Sequence, residues 1–176
     1  MINEIDTERL ILRKAKKDDL NDIYENIWSH EELSKYMLWR KCNSILEARN
    51  KLNKLLEFQK RNYFYFVEEK ESKKVIGMAG IKDLGNNNYE TGPICVMTSA
   101  QRKGYGKEIL KALIHLVFDL LNGNKFTYTF MQENIPSKNL CTSQGFIYEK
   151  SAKSIRDYDN MEYMEDFYYM TREMVR

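Results

Sequence analysis

The residues that first point to chemistry form the stretch QRKGYG, residues 101–106, between an apolar strand and an apolar helix. Three polar residues precede Gly104 and Gly106, and the helix begins directly after them. The free N–H groups and the dipole at the start of a helix favour an anion. The stretch lacks the third glycine of a dinucleotide fingerprint and the GK[ST] ending of a P-loop. It therefore indicates another kind of anion site, or a plain strand-to-helix turn.

Length and composition limit the class of protein. The chain has 176 residues, which fits one domain, since single cores usually span roughly 100 to 200 residues. Hydrophobic residues make up 43% and charged residues 31%, as in a folded globular protein. The net charge is +2, and 26 acidic residues are spread among the cations, which argues against nucleic-acid binding. We expect one domain over residues 1–176.

The cysteines and histidines exclude several kinds of site. Cys42, Cys95 and Cys141 are far apart and odd in number, which leaves no disulfide framework and no CxxC metal knuckle. His30 and His115 cannot supply three metal ligands, so no metal is expected. The chain shows no signal peptide and no apolar run of about 18 residues. These observations predict a cytoplasmic protein without a membrane or nucleic-acid partner.

Hydrophobic periodicity predicts the first half of the fold. A strand is expected at 9–13 and a helix at 16–28, where the apolar spacing changes from alternate to helical. A second helix is expected at 44–59, because Ser44 and Glu47 form a capping-box pattern before an apolar stripe. Three strand-like runs then follow at residues 63–70, 75–84 and 89–97. Their short turn-rich connections predict an antiparallel meander.

The second half of the sequence predicts a parallel crossover connection around QRKGYG. A helix at 107–121 is apolar on most faces, and a strand at 122–131 follows it. Strand, helix and strand in this order give a right-handed parallel connection. A short helix at 136–143 ends at Gly145, and strands at 146–151 and 163–171 form a closing hairpin.

Three motifs together resemble the GCN5-related N-acetyltransferases, in particular the branch that acetylates the N-terminal amine of ribosomal proteins. They are the opening TERLILRKAKKDDLNDIYE, the acyl-CoA signature QRKGYG, and the segment ENIPSKNLCTSQGF. The resemblance implies an α/β (α+β) fold in which helices flank a mixed, mostly antiparallel sheet of about seven strands. It also implies a splayed central parallel pair and acetyl-CoA as cofactor.

The same resemblance assigns the cofactor contacts. The backbone amides of 102–106 bind the pyrophosphate of coenzyme A, and pantetheine fills the slot between the strand 89–97 and the strand that starts near Phe126. Pro93 agrees with a distorted strand there, because proline marks bulges and edges. The cofactor-binding residues implied are Ile94, Cys95, Val96, Gln101, Arg102, Lys103, Gly104, Tyr105, Gly106, Lys107, Asn134 and Asn139.

Acetyl transfer to an amine needs a base, because free amines are partly or mostly protonated near pH 7. Members of the resembled branch commonly carry a glutamate at the position of Glu90, thought to act through a water molecule. An exposed structural carboxylate is the alternative for this residue. Glu68, Glu69 and Glu133 are weaker candidates for the base.

The leaving thiolate needs a hydrogen-bond donor. Many relatives use a tyrosine where this chain has Cys141, so the resemblance points instead to Ser137 as the second catalytic residue. An ordinary helix serine is the alternative. A strand amide near Val96 would stabilise the oxyanion. Cys95 as an acylated nucleophile is disfavoured, since a buried strand cysteine usually acts as a small hydrophobe.

The sequence does not decide which amine accepts the acetyl group. The resemblance favours a peptide or protein N-terminal α-amine, with aminoglycosides, polyamines and amino acids as alternatives. A protein that only binds coenzyme A is a further alternative. The segments 28–59 and 156–164 are expected to wall the acceptor groove, and a minority interpretation adds Tyr158, Tyr163 or Tyr168. The sequence does not decide the oligomeric state, and a homodimer is one alternative.

Overall fold

The computed structural model describes residues 1–175 and forms one eight-stranded sheet in the order β1-β2-β3-β4-β5-β6-β8-β7. The strands are β1 (Glu4–Asp6), β2 (Leu10–Arg13), β3 (Tyr63–Glu69), β4 (Val75–Gly85), β5 (Asn88–Val96), β6 (Lys125–Met131), β7 (Ile147–Arg156) and β8 (Met161–Thr171). All neighbouring strands are antiparallel except β5 and β6. The predicted mixed, mostly antiparallel sheet is confirmed.

Five α-helices flank the sheet. They are α1 (Leu20–Ile23), α2 (Glu31–Ser34), α3 (Ile45–Phe58), α4 (Tyr105–His115) and α5 (Ile135–Ser143). A π-helical turn extends α1 over Tyr24–Trp28 and α4 over Leu116–Leu120, and 3-10 turns lie at Lys17–Asp19, Thr98–Ala100 and Arg172–Met174. At the start of α3 the Ser44 hydroxyl accepts from the Glu47 N–H. The Glu47 carboxylate accepts from Asn43, one residue before the position that a capping box requires.

Each face of the sheet has its own core. Helices α4 and α5 cover one face, where Leu113, Phe126 and Cys141 pack with the inward side chains of β2 to β6 and β8. Helices α1, α2 and α3 cover the other face with the π-helical turn, where Trp28 and Phe66 are buried. A side chain on a central strand therefore points into one of two environments, and alternation along the strand decides which.

The parallel pair β5–β6 opens after three residues. The register joins Asn88, Tyr89 and Glu90 of β5 to β6 and ends at Thr127. Beyond it, β5 stays paired with β4 and β6 stays paired with β8. We call the space between the two diverging strands the slot. The expected splay of the central pair is confirmed.

A bulge lies in β5 beside the slot. Ile81 of β4 pairs with Thr91, and Ala79 pairs with Ile94, so two residues of β5 oppose the single residue Gly80. The extra residues are Gly92 and Pro93, which agrees with the bulge expected at the proline. A Cβ atom on Gly92 would lie 3.1 Å from the Gly80 carbonyl carbon, so the two strands approach closely here.

Several elements differ from the sequence-based expectation. Strand β7 continues to Arg156, five residues beyond the predicted end at 151, and β6 begins at Lys125 instead of 122. Helix α2 was not predicted. The sheet has eight strands instead of about seven, because β1 has only three residues and is too short for an alternating pattern to identify. Helix α4 begins at Tyr105, two residues before the predicted start at 107, with Gly104 as its N-cap. The closing hairpin has the predicted turn, and Gly145 follows α5 in a left-handed conformation with φ of 88°.

Candidate active site

The backbone of β5 presents two residues to the slot. The Met97 N–H donates to the Ile76 carbonyl at 2.8 Å, so Met97 directs its backbone groups towards β4. Hydrogen-bonding direction alternates along an antiparallel strand, so Cys95 also addresses β4. Ile94 and Val96 therefore direct their N–H and C=O groups into the slot. Of the three predicted residues 94–96, the outer two are placed to pair with an extended ligand.

The Cys95 side chain lies away from the slot. It is buried in the core beneath α1 and α3, and burial raises the pKa of its thiol to about 12. At neutral pH the thiol is therefore protonated and a poor nucleophile. This geometry agrees with the expectation that Cys95 is a core residue.

Thr91 closes the inner end of the slot. Its hydroxyl accepts a hydrogen bond of 3.1 Å from the Thr129 N–H of β6. A side chain thus replaces the backbone partner that Thr129 would have in a continuous parallel ladder. This contact was not predicted from the sequence, although a threonine before Gly-Pro offers the signal: a short hydroxyl side chain next to a break in strand pairing.

The loop 101–104 leads from the slot into α4. Gly104 has φ of 85° and Arg102 has φ of 61°, so both adopt left-handed backbone conformations. Within residues 1–175, the N–H groups of Arg102 to Lys107 make no backbone hydrogen bond outside the helix ladder. The loop is exposed to solvent. Exposed unpaired amides at a helix start can hold an anion such as a phosphate group.

The side chains of Gln101 and Tyr105 make contacts within the chain. The Gln101 amide group donates to the Val96 carbonyl at 3.1 Å, which ties the loop to the end of β5. Tyr105 points inwards, and its hydroxyl donates to Glu69 at 2.5 Å. A Cβ atom on Gly106 would lie 3.6 Å from Leu140, an ordinary van der Waals contact, so the packing of α4 on α5 does not itself require glycine here.

Arg9 binds the loop 101–104 through its guanidinium group, a contact that the sequence did not predict. Its guanidinium donates to the Lys103 carbonyl and to Glu108, at 2.8 Å in each case. It also stacks 4.5 Å from the centroid of the Tyr105 ring. The Thr7 hydroxyl donates to Glu108 at 2.6 Å. Glu108 is therefore compensated, so its charge opposes an anion at the start of α4 less than a free carboxylate would.

Glu90 is half-buried at the point where the slot opens. Tyr89 beside it packs against α4, so alternation directs Glu90 to the face covered by α1 to α3. Burial raises the pKa of Glu90 above its ordinary range, Lys82 opposite lowers it in part, and the carboxylate of Glu165 raises it further. A carboxylate with a raised pKa is a stronger base.

The other carboxylate candidates lie elsewhere. Glu68 accepts from Arg13 at 2.7 Å, and Glu69 accepts from Tyr105. Both are occupied by structural contacts. Glu133 is exposed and lines a separate cavity at the end of β6. Among the four carboxylates considered, Glu90 alone lies at the mouth of the slot.

Ser137 lies on the opposite face of the sheet from Glu90, next to a buried tyrosine. Its hydroxyl is 2.9 Å from the hydroxyl of Tyr128 on β6. Tyr128 is only 3% exposed, and burial raises the pKa of its phenol well above the ordinary value. Tyr128 therefore stays protonated. Sequence reasoning missed this pairing, because nothing in the alternation of β6 distinguishes Tyr128 from a core aromatic residue.

The two asparagines of the third motif differ in placement. Asn134 is the N-cap of α5, and its side-chain oxygen accepts from the Ser137 N–H at 3.2 Å. This bond fixes the first turn that carries Ser137. Asn139 is exposed on the outer face of the same helix. The structure thus brings Asn134 close to Ser137 and leaves Asn139 further along the helix.

A cavity of about 700 Å³ lies between α2, the end of β6 and the closing hairpin. Its carboxylates are Glu31, Glu32, Glu133 and Glu162, and its cations are Lys35, Lys153 and Arg156. Arg156 is paired with Asp159 at 2.5 Å. Tyr158 and Tyr163 also line the cavity, whereas Tyr168 is buried on the other face of the sheet. The two expected wall segments do meet here.

Comparison with known families decides the class of protein. The GNAT acetyltransferase domain matches residues 9–147. This chain belongs to the GNAT acetyltransferase family. The splayed β5–β6 pair and the loop 101–104 are thus parts of an acetyltransferase fold. No curated protein matches the chain.

Solved GNAT structures share the whole fold. A GNAT family acetyltransferase from Bacillus anthracis is 23% identical with a TM-score of 0.84, and the alignment covers 97% of this chain and 99% of that one. A protein provisionally named a ribosomal-protein-serine acetyltransferase, from Vibrio cholerae, is 26% identical with a TM-score of 0.81, over 96% and 97%. A ribosomal-protein-S5-alanine acetyltransferase from Vibrio fischeri is 17% identical with a TM-score of 0.77, over 97% of each chain.

These comparisons establish an acetyltransferase of the GNAT family. They include ribosomal-protein acetyltransferases without assigning this GNAT protein to that branch. No helix within residues 1–175 is long and apolar enough to cross a membrane.

Proposed function

We propose that this GNAT protein transfers an acetyl group from acetyl-CoA directly to a primary amine, as a single cytoplasmic domain over residues 1–176. The observation that carries the proposal is the slot, which opens immediately after Glu90 and ends beside the loop 101–104. Acetyl-CoA would supply an activated thioester. The amides of 102–106 would hold its pyrophosphate, and the backbone of Ile94 and Val96 would pair with the pantetheine amides.

Each residue around the slot has a separate role in the transfer of the acetyl group. Glu90 accepts the proton of the acceptor amine through water, and its raised pKa favours this transfer. The Val96 N–H points into the slot and stabilises negative charge on the carbonyl oxygen. Ser137 donates a hydrogen bond to the departing sulfur, and this role makes the Tyr128 hydroxyl, 2.9 Å away, the donor to Ser137. The base Glu90 and the hydrogen-bond donor Ser137 thus reach the slot from opposite faces of the sheet.

The acceptor that we favour is a peptide or protein N-terminal α-amine. Its pKa is about 7.7 to 8.0, against about 10.4 for lysine, so near pH 7 an α-amine loses its proton more readily to one carboxylate acting through water. The larger cavity has carboxylates and cations in its wall, whereas a polycation such as an aminoglycoside calls for a more strongly acidic wall. The similarity to the Vibrio cholerae protein, at 26% identity, supports the same choice.

Acceptor competition tests this proposal. Release of free thiol from acetyl-CoA is measured with short peptides carrying a small free N-terminal residue, with polyamines and with aminoglycosides, at equal acceptor concentration. We expect the highest kcat/KM for a peptide. A higher kcat/KM for any polyamine or aminoglycoside would replace the peptide acceptor with a small amine. Binding of acetyl-CoA without turnover of any acceptor would favour a coenzyme A sensor.

A further inference from the structure

A second, smaller cavity lies on the face of the sheet covered by α1 and α3. It has a volume of about 230 Å³, and its wall includes Trp28, Trp39, Lys51, Phe64, Met78 and Pro93. Apart from Lys51 and Lys54, the residues that line it are apolar or aromatic. It is separate from the larger cavity at the closing hairpin, with which it shares no lining residue. Nothing in the proposed acetyl transfer requires this cavity.

Lys51 is a buried cation without a counter-ion. Its Nζ lies 4.6 Å from the ring centroid of Trp28 and 4.3 Å from that of Trp39. Within residues 1–175 it has no hydrogen-bond or ion-pair partner. Burial lowers the pKa of its ammonium to about 8. The ring faces offset only part of the cost of burying a charge, since one such contact contributes about 0.5 to 2 kcal/mol.

The buried polar atoms without a partner in the described chain belong to residues that line this cavity. Three buried side-chain atoms lack a partner within residues 1–175: Lys51 Nζ, Trp28 Nε1 and Trp39 Nε1. All three residues line the smaller cavity. All three atoms are hydrogen-bond donors, and none can accept. Buried polar groups are normally paired, so the missing partner is an acceptor, and the charge on Lys51 favours an anion.

We propose that the smaller cavity binds a small apolar carboxylate, with the apolar body among the aromatic side chains and the carboxylate paired with Lys51. Of the two lysines in the wall, Lys54 is exposed and Lys51 has its ammonium buried, so one buried cation is matched by one negative charge, whereas a phosphate would bring more charge into an apolar wall. The volume is below that of a drug-sized site, so the body is of single-ring size. The flexible stem of Lys51 lets its ammonium turn from the ring faces towards the bound oxygen atoms.

The molecule carries its own reporter for this test. The chain has two tryptophans, and both line the smaller cavity. Intrinsic tryptophan fluorescence therefore monitors the cavity without a label and without any assay of acetyl transfer. The protein is titrated with 3-phenylpropionate, with the neutral 3-phenylpropanol of the same shape, and with acetate, which lacks the apolar body.

We expect a saturable fluorescence change with 3-phenylpropionate, at an affinity at least about tenfold higher than for 3-phenylpropanol, because a charge-assisted hydrogen bond is stronger than a neutral one. Acetate should bind more weakly than both. Lys51→Met should abolish the preference for the acid over the alcohol. Lys54→Met is the matched control, since Lys54 lines the same cavity from an exposed position on α3, and it should retain the preference.

Three results would overturn the proposal: no saturable response to the acid, equal affinity for acid and alcohol, or an acid preference that persists in Lys51→Met. If Lys51→Met does not fold, the comparison of acid and alcohol on the unaltered protein still decides. Loss of acetyl transfer in a separate assay would not affect this outcome, so the cavity and the proposed activity can fail independently.

Discussion

Replacing Tyr128 with phenylalanine tests whether the hydroxyl pair on the α4 face takes part in catalysis. The substitution removes one oxygen atom and leaves the ring, whose centroid lies 5.9 Å from that of Phe130 and 5.6 Å from that of Phe146. The packing of this cluster is therefore retained. The one hydrogen bond lost is the 2.9 Å contact with Ser137.

The magnitude follows from this single contact. A hydrogen bond between two neutral hydroxyls contributes about 0.5 to 1.5 kcal/mol net, so the free energy of unfolding should fall by about 1 kcal/mol. Without Tyr128 the Ser137 hydroxyl is free to rotate away from the departing sulfur. If the same 1 kcal/mol is lost in the transition state, kcat falls roughly fivefold. The KM for acetyl-CoA should not change, because neither the slot nor the loop 101–104 is altered.

A double-mutant cycle with Ser137→Ala separates catalysis from packing. Thiol release is measured at saturating acetyl-CoA for both single variants and the double variant. We expect Tyr128→Phe to slow the wild-type protein and to have no further effect on Ser137→Ala, since the tyrosine acts through the serine. Tyr168→Phe is the control. This tyrosine is buried on the same face, and its hydroxyl makes no hydrogen bond within residues 1–175.

The reasoning is refuted if Tyr128→Phe slows Ser137→Ala as much as it slows the wild type, because the effect would then be structural. An unchanged kcat in the single variant would refute it as well. A loss of stability with full activity would leave Tyr128 as a core residue that contacts Ser137 without orienting it for catalysis.

Three further predictions concern the loop, the base and the buried lysine. Gly104→Val should abolish acetyl-CoA binding in calorimetry, whereas Gly85→Val, at the same backbone conformation in an open turn with φ of 83°, should lose similar stability and keep the affinity. Equal affinities would remove the loop from the cofactor site. Glu90→Gln should lower kcat about 10² to 10⁴-fold, with a smaller loss at high pH, where the amine is already neutral. Glu165→Gln should move the acid limb of kcat/KM to lower pH, because it removes a charge that raises the pKa of Glu90; a pH profile unchanged in both variants would exclude Glu90 as the base. The Lys51 pKa is lowered from 10.5 to about 8, so between these values the unfolded chain holds a proton that the folded protein has released. Stability therefore rises with pH across this window, and wild type should gain at most about 3 kcal/mol relative to Lys51→Met. Denaturant unfolding of both proteins at the two ends of the window measures the difference, and a difference independent of pH would mean that Lys51 titrates normally.

Local signals were sufficient for most of the fold. Apolar or alternating runs bounded by turn residues predicted seven of the eight strands, including β4, which is buried at each of its first seven residues, and β7, which is mostly exposed. The exception is β1, where Ile5 is the one buried residue of three, which is too little for a periodic pattern. The start of α4 was placed two residues late, since Gly106 was assigned to the loop although it lies in the first turn of the helix.

Lys51 shows why the smaller cavity could not be predicted. On α3, Ala48 and Leu55 belong to the apolar side of the helix, and Lys51 lies three residues after the first and four before the second. It is therefore on the buried side of the helix, yet a lysine there is normally interpreted as a polar position. In the structure the exposed ends of the stripe are Ile45 and Phe58. The burial of Lys51 depends on Trp28 and Trp39, which come from other segments, and the periodicity of α3 does not show that they pack against it.

The slot, by contrast, follows from three adjacent residues of β5. Thr91 supplies a side-chain acceptor for the Thr129 N–H, so β6 loses no hydrogen bond where the strands part. Gly92 has no side chain to collide with Gly80, and Pro93 has no N–H that would need a partner in the bulge. The strands can therefore part at the inner end of the slot without leaving the Thr129 N–H unpaired, and the backbone groups of Ile94 and Val96 further out stay free for a ligand. Glu90 lies directly before these residues, and the proposed base is thus fixed at the edge of an opening that the chain itself maintains.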